Sequence, residues 1–313
     1  MHSSQMGKIA FLFAGQGAQF PGMGRTFYDE SAAARRVFDA CEALRPGTLR
    51  QCFEGSMEEL SQTVNTQPCL FAMDLACAEA AREAGLAPQA AAGFSLGEVA
   101  AVAFTGMLSL PEAFRLVIRR GEMMQECAQR HPGVMLAVLR LCPEAVEEIC
   151  RGFEAAYPVN YNCPGQIVCA MAAGEEQLFT QAVAAAGGRT LRLNVSGAFH
   201  SPFMAEAAQG LEQLLAGMEL GAPTPALYAN LTAKPYGDDP AGTLARQAMS
   251  PVRWQQTIER LRADGVTAFV EVGAGKTLTG LMRKIDKELT ACSICDPASL
   301  KAAIEMLGEG NHA

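Results

Sequence analysis

Short apolar runs alternate with longer amphipathic stretches along most of the chain. The first part of the chain has the order strand, helix, helix, strand, at residues 9–13, 31–44, 67–84 and 89–94. After residue 198 the alternation returns, with apolar runs near residues 226–230, 268–272 and 292–295. Buried strands separated by helices are typical of a parallel sheet with helices on its faces. The pattern therefore predicts an α/β unit.

The order of segments changes after residue 130. The next segments are strand, helix, strand, strand, helix and strand, at residues 134–139, 143–151, near 159, near 168, 175–186 and 190–195. This is the β-α-β-β-α-β order of a ferredoxin-like unit. We therefore predict a discontinuous large subdomain, residues 8–130 plus 197–313, into which a ferredoxin-like subdomain, residues 131–196, is inserted.

The composition excludes several classes of protein. Half of the 313 residues are apolar. The chain has 25 Lys and Arg residues and 33 Asp and Glu residues, which gives a net charge of −8. Hydrophobicity this high argues against disorder, and the acidic balance argues against a nucleic-acid partner. The apolar run at residues 9–14 is too short for a signal sequence or a membrane span. We therefore expect no membrane partner and a cytoplasmic location.

The eleven cysteines are scattered and odd in number, which favours reduced thiols. Cys292 and Cys295 form a C-x-x-C, which could mark a redox or zinc site, but the residues between them favour a last strand. A structural zinc site needs four ligands, and no second pair lies nearby. No metal site is expected.

Ser95 is the candidate nucleophile. Residues 93–97 read Gly-Phe-Ser-Leu-Gly, follow an apolar strand and open an apolar helix with Glu98 in its first turn. This is the context of a nucleophile elbow, in which the serine and the N–H of Leu96 both face the substrate. The alternative is a serine that only caps the helix.

A serine nucleophile needs a base, and four histidines are available. His2 and His312 lie near the termini, and His131 precedes a Pro-Gly turn. His200 lies where the chain returns from the inserted unit, and clefts form at such junctions. It is the candidate base, although it could instead cap the following helix.

Arg120 lies on the apolar face of the helix predicted at residues 111–129. An inward-facing arginine needs an anion, and its planar group suits a carboxylate. That anion is either a substrate or a buried Asp or Glu in a structural salt bridge.

The glycine-rich stretch at residues 15–24 lacks the spacing of a nucleotide-binding loop, but the N–H of Gln16 could serve as an oxyanion donor.

With these residues, the sequence resembles the malonyl-CoA:acyl-carrier-protein transacylases and the related acyltransferase domains of polyketide synthases. Seven motifs occur in the family's order, at residues 15–19, 93–97, 120–121, 162–166, 197–202, 250–254 and 271–276. The resemblance implies a hydrolase-like α/β large subdomain, a ferredoxin-like small one and an active site in the gorge between them. It also implies ping-pong transfer of malonyl from coenzyme A to acyl carrier protein, without a cofactor, by a monomer.

The resemblance also implies a role for each site residue. Ser95 carries the acyl group, His200 is its base and Arg120 binds the acyl carboxylate. Gln16 and Leu96 provide the oxyanion N–H groups, and a backbone carbonyl near Gln247 orients the histidine. Asn162 belongs to a substrate-binding motif, and Phe199 crowds a substituted C2 of the acyl group. Independently of the resemblance, the basic residues on the helix after the glycine motif, Arg283, Lys284 and Lys287, are candidates for contact with an acidic partner such as the carrier protein.

Two positions depart from the family pattern. Ala274 replaces a proline, with no expected effect. Phe94 replaces a histidine beside the nucleophile, so we expect weaker discrimination between malonyl and acetyl donors. Three alternatives stay open: an ordinary serine esterase, an editing hydrolase of carrier-bound acyl groups, and a catalytically silent docking subunit. An esterase would have an acidic partner for its histidine.

Overall fold

A five-stranded parallel sheet organises the larger part of the chain. The computed structural model describes residues 7–309. His2, His312 and the predicted subdomain's last residues, 310–313, lie outside this range. The first elements are β1 (Lys8–Phe13), α1 (Arg25–Glu30), α2 (Ala32–Leu44), α3 (Thr48–Glu54), α4 (Met57–Leu60), α5 (Thr63–Glu83), β2 (Ala90–Gly93), α6 (Leu96–Phe104) and α7 (Leu110–Arg130).

A second, antiparallel sheet follows α7. Its elements are β3 (Gly133–Leu139), α8 (Pro143–Arg151), β4 (Ala156–Cys163), β5 (Gln166–Ala172), α9 (Glu176–Ala185) and β6 (Arg189–Arg192). The strand order is β4-β5-β3-β6, with each neighbouring pair antiparallel. This confirms the predicted ferredoxin-like β-α-β-β-α-β order. The exact subdomain boundaries stay a prediction.

The chain then returns to the parallel sheet. The last elements are α10 (Ala205–Leu215), β7 (Ala226–Tyr228), α11 (Pro240–Gln247), α12 (Trp254–Ala263), β8 (Val266–Val272), α13 (Thr277–Ile285), β9 (Thr290–Ile294) and α14 (Pro297–Glu309). The strand order is β7-β2-β1-β8-β9, and every neighbouring pair is parallel. The predicted α/β class is confirmed.

Strand β1 lies in the middle of this sheet and is buried on both faces. Ile9, Phe11 and Phe13 pack into the main hydrophobic core, while Ala10 and Leu12 pack into a second core on the opposite face. Successive strand residues point to opposite faces, so apolar residues at every position match a sheet covered on both sides.

Val252 connects the two sheets, because it packs with Ala10 and Leu12 of β1 in the second core and forms backbone hydrogen bonds with β4. Its N–H donates to the carbonyl of Val159 at 2.8 Å, and its carbonyl accepts from the N–H of Tyr161 at 3.0 Å. Val252 is fully buried. This pairing holds strand β4 of the small sheet next to the second core of the large one.

Several boundaries differ from the sequence prediction. Helix α5 begins at Thr63, four residues before the predicted start, although Pro68 lies inside it. Thr63, Thr66 and Gln67 are fully buried, so packing outweighs the hydrogen bond that proline cannot form. The last strand, β9, ends before Cys295. The short helices α1, α3 and α4 were not predicted, because so few residues give little periodic signal.

Two further findings concern the cysteines and the helices. All eleven cysteines lie within the described residues as free thiols. None of the helices within residues 7–309 combines the length and the apolar character needed to cross a bilayer.

Two glycines allow the turn between β2 and α6 to pack against β1. A Cβ added to Gly97 would lie 2.3 Å from the carbonyl oxygen of Phe13, and one added to Gly93 would lie 2.0 Å from the carbonyl carbon of Gly97. Real Cβ atoms do not approach other atoms this closely, so both positions need glycine for space rather than for an unusual φ.

We predict that Gly97→Ala lowers the free energy of unfolding by about 1–3 kcal/mol, the usual effect of overpacking. The matched control is Gly280→Ala in α13, where an added Cβ meets nothing within 4 Å. This control should raise stability by about 0.5–1 kcal/mol through helix propensity. Urea unfolding measures both values. Equal effects of the two substitutions would contradict the packing argument.

Candidate active site

Ser95 lies at the sharp turn between β2 and α6. Its backbone has φ 55° and ψ −108°, a conformation that is rare for a residue other than glycine. Such strain persists only where surrounding contacts hold it. The serine lies at the carboxyl end of β2, an interior strand, and at the N-terminus of the buried helix α6.

Asn230, which follows β7, holds this turn from both sides. Its Oδ1 accepts from the N–H of Ser95 at 2.8 Å, and its Nδ2 donates to the carbonyl of Gly93 at 2.6 Å. The Asn230 side chain is fully buried. One amide thus replaces the peptide partners that the strained turn cannot reach, and it offsets part of the cost of the strain.

Ser95 and His200 form a direct hydrogen bond. Ser95 Oγ lies 2.7 Å from Nε2 of His200, and Nδ1 of His200 lies 2.9 Å from the carbonyl oxygen of Gln247. Because a carbonyl oxygen only accepts, Nδ1 carries the proton and Nε2 is free to accept from the serine hydroxyl. The third group is a backbone carbonyl rather than a carboxylate.

His200 is held neutral. It is 3% exposed, and burial together with the nearby positive charge of Arg120 lowers its pKa to about 4. Its backbone also has a positive φ, 60°, and its N–H donates to the carbonyl of Ala248 at 3.1 Å. At neutral pH the imidazole is therefore ready to accept a proton from Ser95.

Arg120 extends from α7 to the same serine. Its Nη2 donates to Ser95 Oγ at 3.2 Å and to Oε1 of Gln247 at 2.8 Å, and its Nη1 donates to Oε1 of Gln67 at 2.8 Å. These acceptors are uncharged. Within residues 7–309, Arg120 therefore lacks the direct carboxylate partner that a structural salt bridge would require.

Burial makes Arg120 an unusual cation. It is 2% exposed, and desolvation lowers its pKa to about 10, an effect that the negative charge of Glu98 opposes. The guanidinium remains charged at neutral pH. A buried cation whose acceptors among the described residues are all neutral can bind an anion that comes from outside.

Gln247 connects the reactive groups. Its Nε2 donates to the carbonyl of Ser95 at 2.7 Å and to Oε2 of Glu98 at 3.0 Å, while its Oε1 faces Arg120. Its backbone carbonyl orients His200. The amide orientation follows from these partners, since one end meets only acceptors and the other meets a donor.

A cavity of about 230 Å³ lies beside the elbow, between the large sheet and the small one. Gln16, Phe94, Asn160 and Asn162 are among its lining residues. Asn160 and Asn162 are each 7% exposed, and the Oδ1 atom of each has no hydrogen-bond partner among the described residues. Both asparagines thus line the cavity, and each has a buried side-chain oxygen without a partner among the described residues.

The predicted oxyanion donors lie on either side of the elbow. Leu96 is the first residue of α6, and the first N–H groups of a helix lack intrahelical acceptors. Gln16 follows β1 in a loop that touches the elbow, since a Cβ added to Gly15 would lie 2.7 Å from the carbonyl oxygen of Phe94. The Gln16 side chain donates to Oγ1 of Thr63 at 3.4 Å.

The two predicted phenylalanines have different surroundings. Phe94 lines the cavity and its ring packs on Trp254, with centroids 5.3 Å apart. Phe199 is 5% exposed and packs in the main core, and it is not among the residues that line the cavity. Phe94 thus forms part of the cavity wall, whereas Phe199 does not.

Sequence reasoning assigned no role to Gln67, Glu98, Asn160 or Asn230. Two signals could have found some of them. Glu98 is the only charged residue in α6, a helix that is otherwise apolar. Asn230 follows a parallel strand at its carboxyl end, where sites form in such sheets.

The chain is similar to known proteins along most of its length. A profile of the acyl transferase domain family matches residues 10–297. The chain is 38% identical to the malonyl CoA-acyl carrier protein transacylase of Bacillus subtilis strain 168, over 98% of this chain and 99% of that protein. It is 36% identical to the protein of the same name from Escherichia coli K12, over 96% of this chain and 100% of that protein.

Solved structures of malonyl transacylases are also similar to this chain. The malonyl CoA-acyl carrier protein transacylase of Clostridium perfringens superimposes with a TM-score of 0.94 at 32% identity, covering 97% of this chain and 98% of that one. A malonyl-transacylase in complex with a holo type II polyketide acyl carrier protein superimposes with a TM-score of 0.91 at 34% identity, covering 95% and 99%.

We predict that a fluorophosphonate probe labels Ser95 at a constant rate from pH 8 down to about pH 5, because the base stays neutral above the pKa of His200, about 4. The rate should fall as the pH passes through about 4, where His200 gains a proton. Mass spectrometry of the adduct measures the rate, and circular dichroism at each pH checks the fold. A midpoint near pH 6.5 would show that burial does not hold the histidine neutral.

Proposed function

The chain belongs to the acyl transferase domain family, and we propose that it moves a malonyl group from malonyl-CoA to the phosphopantetheine thiol of an acyl carrier protein. The family match and the named relatives support this reaction. We propose Ser95 as the residue that carries the malonyl group between the two thiols, with His200 as its base.

One observation carries the proposal: the buried guanidinium of Arg120 contacts the nucleophile itself. An acyl group bound to Ser95 Oγ would extend within reach of Arg120. A malonyl group ends in a carboxylate, and a buried guanidinium without a carboxylate partner favours that group over a neutral acetyl.

In the first half-reaction, the Oγ of Ser95 attacks the thioester carbonyl of malonyl-CoA and its proton passes to Nε2 of His200. The N–H groups of Gln16 and Leu96 stabilise the oxyanion of the tetrahedral intermediate. The carbon–sulfur bond then breaks, and the coenzyme A sulfur takes the proton from His200. Malonyl-Ser95 remains.

In the second half-reaction, the thiol of the carrier arm gives its proton to His200 and its sulfur attacks the ester carbonyl. The carbon–oxygen bond to Ser95 breaks, and Oγ recovers the proton from His200. The products are malonyl-thioester and free enzyme. Neither step requires a cofactor.

The cavity beside the elbow suits the arm that both substrates share. Coenzyme A and the carrier protein present the acyl group on pantetheine, which contains two amide N–H groups. The unpartnered Oδ1 atoms of Asn160 and Asn162 are acceptors for such donors. We place the pantetheine arm in this cavity, with Asn162 as a binding residue.

We place the carrier protein at the basic residues near the cavity. Arg283, Lys284 and Lys287 are exposed, and Nζ of Lys284 donates to Oε1 of Gln166, a cavity-lining residue, at 3.2 Å. A positive surface at the cavity suits an acidic partner. We also retain the predictions of a monomer and of a cytoplasmic location.

The alternatives are less favoured. An esterase was expected to pair its histidine with a carboxylate, whereas Nδ1 of His200 faces a backbone carbonyl. An esterase or editing hydrolase has no need of the buried Arg120. A silent docking subunit would not need the hydrogen bond between Ser95 and His200.

We predict that malonyl-CoA adds one malonyl mass to the wild-type protein and none to Ser95→Ala, because the ester needs Oγ. Intact-protein mass spectrometry measures the adduct. His200→Ala should slow acylation by several orders of magnitude, since the serine loses its base.

The matched control is His131→Ala, which removes an exposed histidine that pairs with Glu206 and should leave the rate unchanged. A malonyl adduct that persists on Ser95→Ala would overturn the assignment of the nucleophile.

We predict that Arg120→Ala weakens malonyl transfer by about 2–5 kcal/mol in kcat/KM, the range for truncating one partner of a buried charge pair. Acetyl transfer should fall far less, because acetyl has no carboxylate. Steady-state kinetics with both donors measures the two losses.

Arg119→Ala is the control for helix α7. Arg119 is the next residue along the chain, is exposed and pairs with Glu122. Arg119→Ala should change the rate of neither malonyl transfer nor acetyl transfer. Equal losses for malonyl and acetyl in Arg120→Ala would mean that Arg120 supports the fold and does not bind the carboxylate.

A further inference from the structure

Glu98 is a fully buried carboxylate for which the proposed reaction has no use. It lies in the first turn of α6, three residues after the nucleophile. Its Oε2 accepts from the N–H of Asn230 at 3.0 Å and from Nε2 of Gln247 at 3.0 Å, and its Oε1 accepts from the hydroxyl of Tyr236.

We propose that Glu98 determines how strongly the enzyme prefers an acyl group with a carboxylate, because its charge acts on Arg120 across the Gln247 side chain. This inference rests on the proposed function, in which Arg120 binds that carboxylate. Glu98 is thus a specificity-determining residue that does not touch the substrate.

The geometry places the two charges on opposite ends of one amide. Gln247 donates to Glu98 through Nε2 and accepts from Arg120 through Oε1. The amide keeps the charges from direct contact, but in a buried site they still interact strongly. Glu98 is thus the counter-ion of Arg120 in the free enzyme.

An incoming carboxylate must share Arg120 with this resident anion. Before malonyl binds, the positive charge of Arg120 and the negative charge of Glu98 balance each other. After malonyl binds, two anions face one cation, and the repulsion between them reduces the preference for malonyl. A neutral acetyl group adds no charge and is not affected.

The orientation of Gln247 does not depend on the charge of Glu98. Nε2 of Gln247 also donates to the Ser95 carbonyl at 2.7 Å, and Arg120 holds the other end. Glu98→Gln can keep the same contacts, because its Oε1 accepts from Asn230 and Gln247 while its Nε2 donates to the Tyr236 oxygen. The substitution therefore removes the charge with little change in geometry.

Glu98 can also change its charge with pH. Burial raises its pKa to about 6, and the hydrogen bonds from Tyr236, Gln247 and Asn230 and the charge of Arg120 lower it in turn. Tyr236 and Arg120 are the titratable groups that act on it, and His200 lies on the far side of Gln247. Below about pH 6 Glu98 is protonated and neutral.

The proposal therefore gives a pH-dependent selectivity. A free acyl carboxylate with an ordinary pKa of about 4 stays ionised above pH 5. As the pH falls from 8 to 5, Arg120 loses its internal counter-ion while the malonyl charge is unchanged. The ratio of kcat/KM for malonyl-CoA over acetyl-CoA should rise about three- to tenfold, with a midpoint near pH 6.

The experiment measures this ratio from pH 8 to pH 5 in the wild type and in Glu98→Gln. Protonation of His200 affects both donors equally and cancels in the ratio. Glu98→Gln should have the high ratio at every pH, with a flat profile. Circular dichroism at each pH checks that the proteins are folded.

Tyr236→Phe provides a second variant that keeps the carboxylate. It removes a hydrogen bond that lowers the pKa of Glu98, so the midpoint of the ratio should move to higher pH. A residue with only a structural role would not move this midpoint.

The outcomes separate the two proposals. If Arg120→Ala abolishes the malonyl preference but Glu98→Gln has the same ratio and pH profile as the wild type, the proposed function stands and the role of Glu98 is overturned. If Arg120→Ala leaves the ratio unchanged, the carboxylate-binding role of Arg120 fails, and the inference fails with it.

Discussion

The rest of the site depends on keeping a guanidinium charged where water cannot reach it. Desolvation of Arg120 is expensive, and no carboxylate makes direct contact to offset it. Gln67, Gln247 and Ser95 supply neutral acceptors, and Glu98 supplies a charge one amide away. The same guanidinium lowers the pKa of His200, so the cation and the base are electrostatically linked.

The strained turn at Ser95 is the second constraint, and the same polar residues hold it. Asn230 bonds the backbone on both sides of the serine, and Gln247 bonds the Ser95 carbonyl. The backbone N–H of Asn230 also donates to Glu98, and its side-chain Oδ1 accepts from Nε2 of Gln247 at 3.4 Å. A change in any of these side chains therefore affects both the position of the nucleophile and the environment of Arg120, so their effects will not add.

The local sequence was enough to predict the order of the helices and strands and to select the candidate site residues. Burial on both faces makes parallel strands uniformly apolar, and this pattern located β1, β2 and β8 to within about two residues. The ferredoxin-like unit was predicted from the order of its strands and helices. The elbow is also a local feature, since two glycines and a serine at fixed spacing determine it, and the sequence placed Arg120 on an inward face.

Only the tertiary structure decided which groups meet. Ser95 and His200 are separated by 105 residues, and Arg120 and Gln247 by 127, so no periodicity could pair them. The start of α5 and the roles of Glu98 and Asn230 also come from long-range packing, which outweighs local propensity. The sequence by itself determined which chemical groups were available. Their distances, their burial and hence their pKa values were decided by the fold, because these depend on neighbours that are remote along the chain.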